Sequence, residues 1–316
     1  MTVKTHFLGK ITSPKSYQGK VFTNPIHAGK NGKCKKGWTI LTAIEKDDLL
    51  KNLEQYYELY DHGTSPDAPC VVFLPGVACS TWLFRDSVPL FNPNYKVVIF
   101  NNPGTNGTRL PVNLTVERIA QIVVKVLQKE NLTNCILIGH SMGGFTAQQV
   151  YKICPELVSK LVLLSSSCGH PFTKEEALRL AKDLVPNALQ RIRDFNSKPE
   201  EGVSYTFSNH FMETQPIKYK IFAHRLFEMR PRQSAVVRHF LCASRFSSFK
   251  FLKDIKCPTL IVHGEDDKLI TPKGAHMLHE NIEGSKLVMY PHCGHFPMVE
   301  SGTFYDDVLK FIKESK

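Results

Sequence analysis

Six short apolar runs constrain the fold of this chain more than any other feature. Each run is nearly continuous in Val, Ile and Leu and is stopped by Gly, Pro, Asn or Ser. Continuous runs are typical of strands that are buried on both faces of a parallel sheet. A loosely alternating stretch at 53–63 predicts one more strand. The six runs occupy residues 70–76, 95–104, 134–140, 159–167, 257–267 and 284–295.

Helical patterns lie between these runs. After Thr115, a predicted N-cap, apolar residues recur on one helical face, and a similar face lies near the end of the chain. Strand and helix therefore alternate, which predicts an α/β fold with a mostly parallel, doubly wound sheet. In such a sheet the ligand site lies beyond the carboxyl ends of the strands. The two helical faces are Ile119, Ile122, Val123, Val126 and Leu127, and Tyr305, Val308, Leu309 and Ile312.

The alternation of strand and helix breaks once, between residues 169 and 251. This stretch has helical patterns and no strand-like run, which predicts a helical insertion between two strands of the sheet. Within it, residues 216–250 hold eight Lys or Arg and one acid, Glu228. A solvated helical face accounts for this charge. The alternative is that some of the arginines bind an anionic group of a substrate.

The net charge of +11 is concentrated at the start of the chain, where residues 1–44 hold eight lysines and no acid. We interpret this segment as a solvated basic leader, with a patch for an anionic partner as the alternative. No apolar run reaches the ~18 residues of a membrane-spanning helix, and the chain does not begin with a secretory signal. Nine scattered cysteines without a C-x-x-C pair indicate reduced thiols rather than disulfides or a zinc site. We therefore expect a cytoplasmic protein without an integral membrane span.

The turn Gly139-His140-Ser141-Met142-Gly143 is the most specific motif in the chain. It has the pattern G-x-S-x-G and stands between an apolar run and a helical pattern. A serine at such a strand-to-helix turn has a strained backbone, and small residues on both sides allow the bend. The turn also places the serine at a helix N-terminus, where free N–H groups point at a reacting oxygen. We therefore interpret Ser141 as a nucleophile.

A serine hydroxyl needs a base to take its proton and an acid to orient that base. Two further strand ends supply candidates. His295 follows the last apolar run and is the candidate base. Glu265, Asp266 and Asp267 follow the run before it and are candidates for the acid.

Three other histidines lie near the candidate base in the sequence or in the predicted site. His263 lies in or at the end of a strand, and His140 is the side residue of the serine turn, so neither is well placed. His292 is a third, nearby alternative.

From about residue 52 onward the chain resembles the α/β-hydrolase fold with a helical cap, in the group of carboxylesterases, lactonases and C–C hydrolases. The family places its acid in a G-x-x-D-x-x-x-x-P turn, which Gly264, Asp267 and Pro272 match, so the resemblance selects Asp267. Together with the charge and the helical patterns, it divides the chain into a basic extension at 1–50, a hydrolase core at 51–168 and 252–316, and a helical cap at 169–251. The order serine, acid, histidine is also that of this family.

An oxyanion hole needs backbone N–H donors directed at the developing negative charge. Met142, the residue after the nucleophile, should supply one. The resemblance implies that Val77 supplies the second, after an early strand. Here the family has a His-Gly pair, whereas this chain has Pro75-Gly76. The donor is retained, but the side-chain contacts of this loop are left open.

These residues predict a serine hydrolase that cleaves an ester, thioester or lactone through an acyl-enzyme, most simply a carboxylic ester hydrolase. A C–C bond hydrolase or lyase of the same fold is the first alternative, and a non-catalytic ligand-binding protein is the second. The serine disfavours epoxide hydrolases and haloalkane dehalogenases, because the family resemblance implies an aspartate at this turn in those enzymes. We expect no metal, no cofactor and no nucleic acid. The expected partner is a small-molecule acyl substrate, with anionic and lipid-like substrates both left open, as is the oligomeric state.

Overall fold

A computed structural model describes residues 52–61, 64–65, 67–92, 94–169 and 197–314. The predicted basic extension and the helical pattern at 175–184 lie outside the described residues.

A seven-stranded sheet forms the centre of the described structure, with strand order β1-β3-β2-β4-β5-β6-β7. β1 is antiparallel to β3, and all other neighbouring strands are parallel. The predicted mostly parallel α/β sheet is therefore confirmed. The strands are β1 Tyr57–Tyr60, β2 Cys70–Leu74, β3 Lys96–Phe100, β4 Cys135–His140, β5 Val158–Leu164, β6 Thr259–Gly264 and β7 Lys286–Tyr290.

The stretch at 53–63 is a strand over only part of its length. Leu53–Tyr56 forms a 3₁₀ turn, and Tyr57–Tyr60 pairs with β3. All four residues of β1 are half-buried. An edge strand of this kind is not enclosed on both faces, which explains why its sequence alternates only loosely.

The described helices are numbered in chain order. Three of the connections also contain 3₁₀ turns, at Pro155–Leu157, Ser204–Thr206 and Phe249–Asp254. The helices are α1 Trp82–Arg85, α2 Val88–Phe91, α3 Val116–Lys129, α4 Met142–Ile153, α5 Pro199–Val203, α6 Asn209–Thr214, α7 Pro216–Glu228, α8 Gln233–Ser244, α9 Lys273–Asn281, α10 Pro297–Glu300 and α11 Phe304–Lys313. None of the helices in the described ranges is long and apolar enough to cross a membrane.

Both helical faces predicted from apolar spacing are confirmed, in α3 and α11. The Thr115 hydroxyl caps α3 by accepting a hydrogen bond from the Arg118 N–H at 3.2 Å. α3 then buries its apolar face, with α4, against one side of the sheet. α11 packs with α1 and α2 against the other side. Because both sides are covered, every residue of β2, β4 and β6 is buried, and the polar residues of these strands, Thr259, His263 and His140, lie only near strand ends.

Helices α5 to α8 lie in the connection between β5 and β6, where the sequence predicts a helical insertion. The two ends of this connection meet, since Gly169 forms an isolated antiparallel bridge with Ser247. The Ser248 N–H donates to the Cys168 carbonyl at 2.8 Å, and the Ser248 hydroxyl donates to Gln148 Oε1 in α4 at 2.6 Å. These bonds fix the return of the chain beside the carboxyl ends of the central strands.

Candidate active site

Ser141 lies in a sharp turn between the end of β4 and the start of α4. Its backbone has φ 55° and ψ −121°, a conformation that non-glycine residues rarely adopt. The Ser141 N–H donates to the Leu164 carbonyl at 2.9 Å, and the Ser166 hydroxyl donates to the Ser141 carbonyl at 3.0 Å. The neighbouring strand end therefore holds the strained turn in place.

Two glycines make this turn sterically feasible. A Cβ on Gly139 would overlap the carbonyl of Gly143, and a Cβ on Gly143 would overlap the carbonyl of Leu74 in β2. Any larger residue would push the start of α4 away from β2 and β4. The spacing of the motif thus has a direct structural reason: it brings Ser141 to the carboxyl end of a central strand and to the N-terminus of a helix.

Asp267 and His295 follow β6 and β7, and their side chains form a short hydrogen bond. His295 Nδ1 lies 2.7 Å from Asp267 Oδ2. The other carboxylate oxygen accepts N–H bonds from Leu269 at 2.8 Å and Ile270 at 3.0 Å. Asp267 is 3% exposed and His295 is 2% exposed. The imidazole is therefore held in one orientation by a carboxylate that is itself fixed by backbone groups.

The electrostatic environment keeps Asp267 ionised. Burial raises the pKa of this carboxyl, but the neighbouring imidazoles of His295 and His263 outweigh burial and hold its pKa well below the usual range. In a neutral imidazole that donates from Nδ1, Nε2 carries the free lone pair. The contact with ionised Asp267 favours this tautomer in a neutral His295, and it is the tautomer that a general base requires.

His140 connects the serine turn to the histidine loop. Its ring centroid lies 4.8 Å from that of His295, and its Nε2 lies 2.9 Å from the His295 carbonyl. Burial, followed by the nearby His295, lowers the pKa of His140 to about 3, so this ring is neutral and donates its Nε2–H to the carbonyl. Because His140 directly precedes Ser141, the contact brings the serine and the histidine loop together.

His263 takes a position that sequence reasoning did not assign to it. Its Nε2 lies 3.2 Å from Asp267 Oδ2 and 2.7 Å from the Ile270 carbonyl. One carboxylate oxygen of Asp267 therefore faces two imidazoles. In the sequence, this contact is marked only by the separation of four residues between His263 and Asp267. Such a separation brings side chains together on a helix, but it predicts no contact at the end of a strand.

The remaining candidates for base and acid are exposed, whereas His295 and Asp267 are buried. His292 is exposed, and its ring lies tilted beside that of His210, with the centroids 4.9 Å apart. Glu265 and Asp266 are also exposed, and their N–H groups donate to the carbonyls of Tyr290, at the end of β7, and of Cys293. Of the three acids in this turn, the described geometry joins only Asp267 to an imidazole.

Val77 and Met142, the two expected oxyanion donors, flank the serine turn. A Cβ on Gly76 would lie 3.0 Å from the Cβ of Ser141, so the loop that carries Val77 packs directly against the nucleophile candidate. Met142 follows Ser141 and is buried. Among the residues that the structure describes, no group of three His, Cys, Asp or Glu side chains has the arrangement of a metal site.

Asn102, at the end of β3, supports the Val77 loop and was not found from the sequence. Its Nδ2 donates to the Gly76 carbonyl at 2.7 Å and to the Pro75 carbonyl at 3.1 Å. A trans peptide places its N–H opposite its carbonyl. By holding the Gly76 carbonyl, Asn102 therefore sets the direction of the Val77 N–H.

The fold and this arrangement define a class of protein, and comparison with known families identifies it. The family model described as alpha/beta hydrolase fold matches residues 69–301. The chain therefore belongs to the α/β-hydrolase fold family.

Relatives within this fold carry different hydrolase names. The 2-hydroxy-6-oxononadienedioate/2-hydroxy-6-oxononatrienedioate hydrolase of Escherichia coli (strain K12 / DH10B) is 24% identical over 270 residues, covering 80% of this chain and 89% of the relative. The structure of the esterase EaEST from Exiguobacterium antarcticum matches with TM-score 0.66 and 23% identity, over 82% of this chain and 98% of that one. The enol-lactonase from Burkholderia xenovorans LB400 matches with TM-score 0.67 and 17% identity, over 82% and 96%. Family membership and these names support a hydrolase, and the structural likenesses show the fold.

Proposed function

We propose that this protein is a serine hydrolase that cleaves an ester, thioester or lactone through an acyl-enzyme. Ser141 is the nucleophile, His295 the general base and Asp267 the residue that orients it. The observation that carries the proposal is the 2.7 Å bond from His295 Nδ1 to the buried Asp267 carboxylate, in a loop that His140 joins to the strained turn of Ser141, whose φ is 55°. A turn serine without a chemical role needs neither the strained backbone nor an oriented imidazole nearby.

The proposed reaction proceeds in two halves. His295 Nε2 takes the proton of Ser141 Oγ while the oxygen attacks the acyl carbonyl, and the N–H groups of Val77 and Met142 stabilise the oxyanion. His295 then returns the proton to the leaving group, and the acyl group stays on Ser141. In the second half His295 takes a proton from water, the water oxygen attacks the acyl carbonyl, and His295 returns the proton to Ser141 Oγ as the acid leaves. Asp267 stays ionised throughout and stabilises the imidazolium that forms.

An apolar cluster beside the two oxyanion donors supports an apolar acyl group in the substrate. The rings of Phe145 in α4 and Phe246 after α8 stack at 4.9 Å, and Met142 belongs to the same buried cluster. Val77 packs against this cluster. We propose that residues 169–251 form a cap and that the apolar residues it shares with the core select the acyl group.

The E. coli relative is named as a hydrolase of 2-hydroxy-6-oxononadienedioate, and it is similar to most of this chain. For this reason cleavage of a C–C bond in a substrate of this kind is the second candidate for the reaction. An assay with such a dienoate substrate, read from the loss of its visible absorbance, separates this candidate from ester cleavage.

Labelling with a fluorophosphonate probe tests the proposal directly. Wild-type protein should react at Ser141, the Ser141→Ala variant should not, and a Ser167→Ala variant controls for a nearby serine whose hydroxyl bonds Gly169 and not the serine turn. A series of p-nitrophenyl esters from acetate to palmitate then measures the preference for acyl length. No labelling together with no hydrolysis in the series would reject a serine hydrolase and favour a ligand-binding role.

A further inference from the structure

The loop that carries Val77 lacks the histidine that the family resemblance leads one to expect, since Pro75 stands in its place. A different histidine reaches this loop from far along the chain. His239 lies in α8, within the connection between β5 and β6, and its side chain is fully buried at 0% exposure.

Both ring nitrogens of His239 contact the core of the fold. His239 Nδ1 lies 3.1 Å from the N–H of Ala78, and His239 Nε2 lies 2.8 Å from the carbonyl of Pro103. A carbonyl can only accept, so Nε2 carries the proton, and Nδ1 accepts the hydrogen bond from Ala78. Burial lowers the pKa of His239, which favours the neutral ring that this pair of bonds requires.

The backbone of Ala78 is strained and therefore needs contacts that hold it in place. Ala78 has φ 61°, in the left-handed region that is unfavourable for a residue with a Cβ. The loop turns here directly after Val77, and the strained conformation persists only where surrounding contacts hold it. His239 supplies such a contact.

Two side chains thus hold the two successive peptide groups on either side of Val77. Asn102 binds the Gly76 carbonyl at 2.7 Å, on the peptide that carries the Val77 N–H. His239 binds the N–H of Ala78, on the next peptide. Pro103, whose carbonyl receives the second bond of His239, directly follows Asn102, so the two supports belong to one hydrogen-bonded unit.

We propose that His239 is a positioning residue for the oxyanion loop, through which the inserted helix α8 fixes the direction of the Val77 N–H. The inference rests on the proposed serine hydrolase, because Val77 acts as an oxyanion donor only in that reaction. It makes the helical insertion part of the catalytic geometry: movement of α8 away from the core would release the donor loop. Substrate that holds α8 in place would therefore also hold the oxyanion hole in place.

Two amide variants separate the two bonds of His239. The carboxamide oxygen of Asn lies as many bonds from Cβ as imidazole Nδ1 does, so His239→Asn keeps an acceptor for Ala78 and loses the donor to Pro103. The amide nitrogen of Gln corresponds to Nε2 in the same way, so His239→Gln keeps the bond to Pro103 and loses the acceptor for Ala78. Arg238→Met is the matched control, because Arg238 also ties α8 to the core, by a 2.7 Å bond to the Pro111 carbonyl, without contacting the loop.

The measurements are kcat and KM on a p-nitrophenyl ester, and hydrogen–deuterium exchange of the peptide that spans residues 76–79. Complete loss of an oxyanion donor lowers kcat about 10²–10³-fold, so a misdirected donor in His239→Gln should lower kcat by about 10- to 100-fold. KM should stay within about twofold, since the donor acts on the transition state. His239→Gln should also speed exchange in the 76–79 peptide. His239→Asn and Arg238→Met should keep near wild-type kcat and exchange.

Equal losses of kcat in His239→Asn and His239→Gln, or unchanged exchange in His239→Gln, would overturn the proposal and leave His239 as a tie between helix and core. The proposed function fails in a different way. If the wild type neither reacts with a fluorophosphonate nor hydrolyses an ester, the hydrolase is rejected, and the exchange of residues 76–79 alone decides whether His239 holds the loop.

Discussion

Replacement of Asp267 by Asn is a nearly isosteric change whose consequence can be worked out atom by atom. Asp267 Oδ1 accepts backbone N–H bonds at 2.8 and 3.0 Å, which the amide oxygen of Asn can keep. The amide nitrogen of Asn then faces His295 Nδ1, 2.7 Å from the former Oδ2, and His263 Nε2, at 3.2 Å. Both of these histidine nitrogens carry protons in the wild type. The NH₂ group of Asn, which is also a donor, would therefore face two N–H donors.

The simplest relief is a change of tautomer in His295, with Nδ1 accepting from the amide and Nε2 protonated. Protonated Nε2 cannot take the proton of Ser141, so kcat should fall about 10⁴-fold, as in other Ser-His-Asp triads with the wrong tautomer. Such a fall raises the barrier by about 5.4 kcal/mol. KM should change little, because Asp267 is 3% exposed and lies behind His295. Loss of charge-assisted bonds should also lower the free energy of unfolding by about 1.5–3 kcal/mol, which leaves a domain of ordinary stability folded.

The assay is steady-state hydrolysis of a p-nitrophenyl ester, with urea unfolding of the same preparations. Asp266→Asn is the matched control, because Asp266 is the adjacent, exposed acid and should retain wild-type kcat. The reasoning is refuted if Asp267→Asn stays within tenfold of the wild-type kcat. If Asp266→Asn also shows the large loss, the acid has been assigned to the wrong residue.

Three further predictions follow from the same geometry. Ser141→Ala and His295→Ala should each lower kcat by about 10³-fold or more, and the double variant should be no worse than Ser141→Ala, since the two residues act as a unit; additive losses in kinetics of the three variants would contradict this. His263→Phe should lower the free energy of urea unfolding by about 1–3 kcal/mol, because it removes a donor from the buried carboxylate and from a carbonyl; an unchanged value would mean that the 3.2 Å contact is not a hydrogen bond. Burial lowers the pKa of His140 to about 3, so below about pH 6.5 the unfolded chain binds a proton that the folded chain does not, and wild-type stability should fall by up to about 1.4 kcal/mol per pH unit as the pH decreases from about 6.5 towards 3. His140→Gln should lack this part of the slope, and identical slopes in the two proteins would show that His140 titrates normally.

The sheet could be predicted from the sequence because burial leaves a direct mark on composition. β2, β4 and β6 are enclosed on both faces, and the residues in the middle of each strand are apolar. The edge strand β1 was harder to delimit, since half-buried positions tolerate both Tyr and Glu and its strand is only Tyr57–Tyr60. Helix α3 was predictable for another local reason, the capping Thr115 before a regular apolar face.

The candidate site was predictable where its residues follow strand ends in fixed local patterns. Ser141 is marked by flanking glycines that steric overlap requires, and Asp267 by a turn pattern that the family shares. The supporting residues leave no such mark. Asn102 acts on carbonyls 26 and 27 residues away, and His239 acts on an N–H 161 residues away. No local spacing connects positions this distant, and only the tertiary fold brings them together.

The oxyanion loop shows why a sequence motif predicts a reacting group better than it predicts the residues that hold that group in place. The donor proposed for this loop is a backbone N–H, which every residue except proline supplies, so Val77 keeps the chemistry whatever side chain precedes it. The direction of that N–H depends on neighbouring peptides, and those peptides can be held from any side. Here the supports are Asn102, at the end of β3, and His239, in an inserted helix. A core loop held from the insertion links the geometry of catalysis to the position of α8, and the two amide variants of His239 measure how strong that link is.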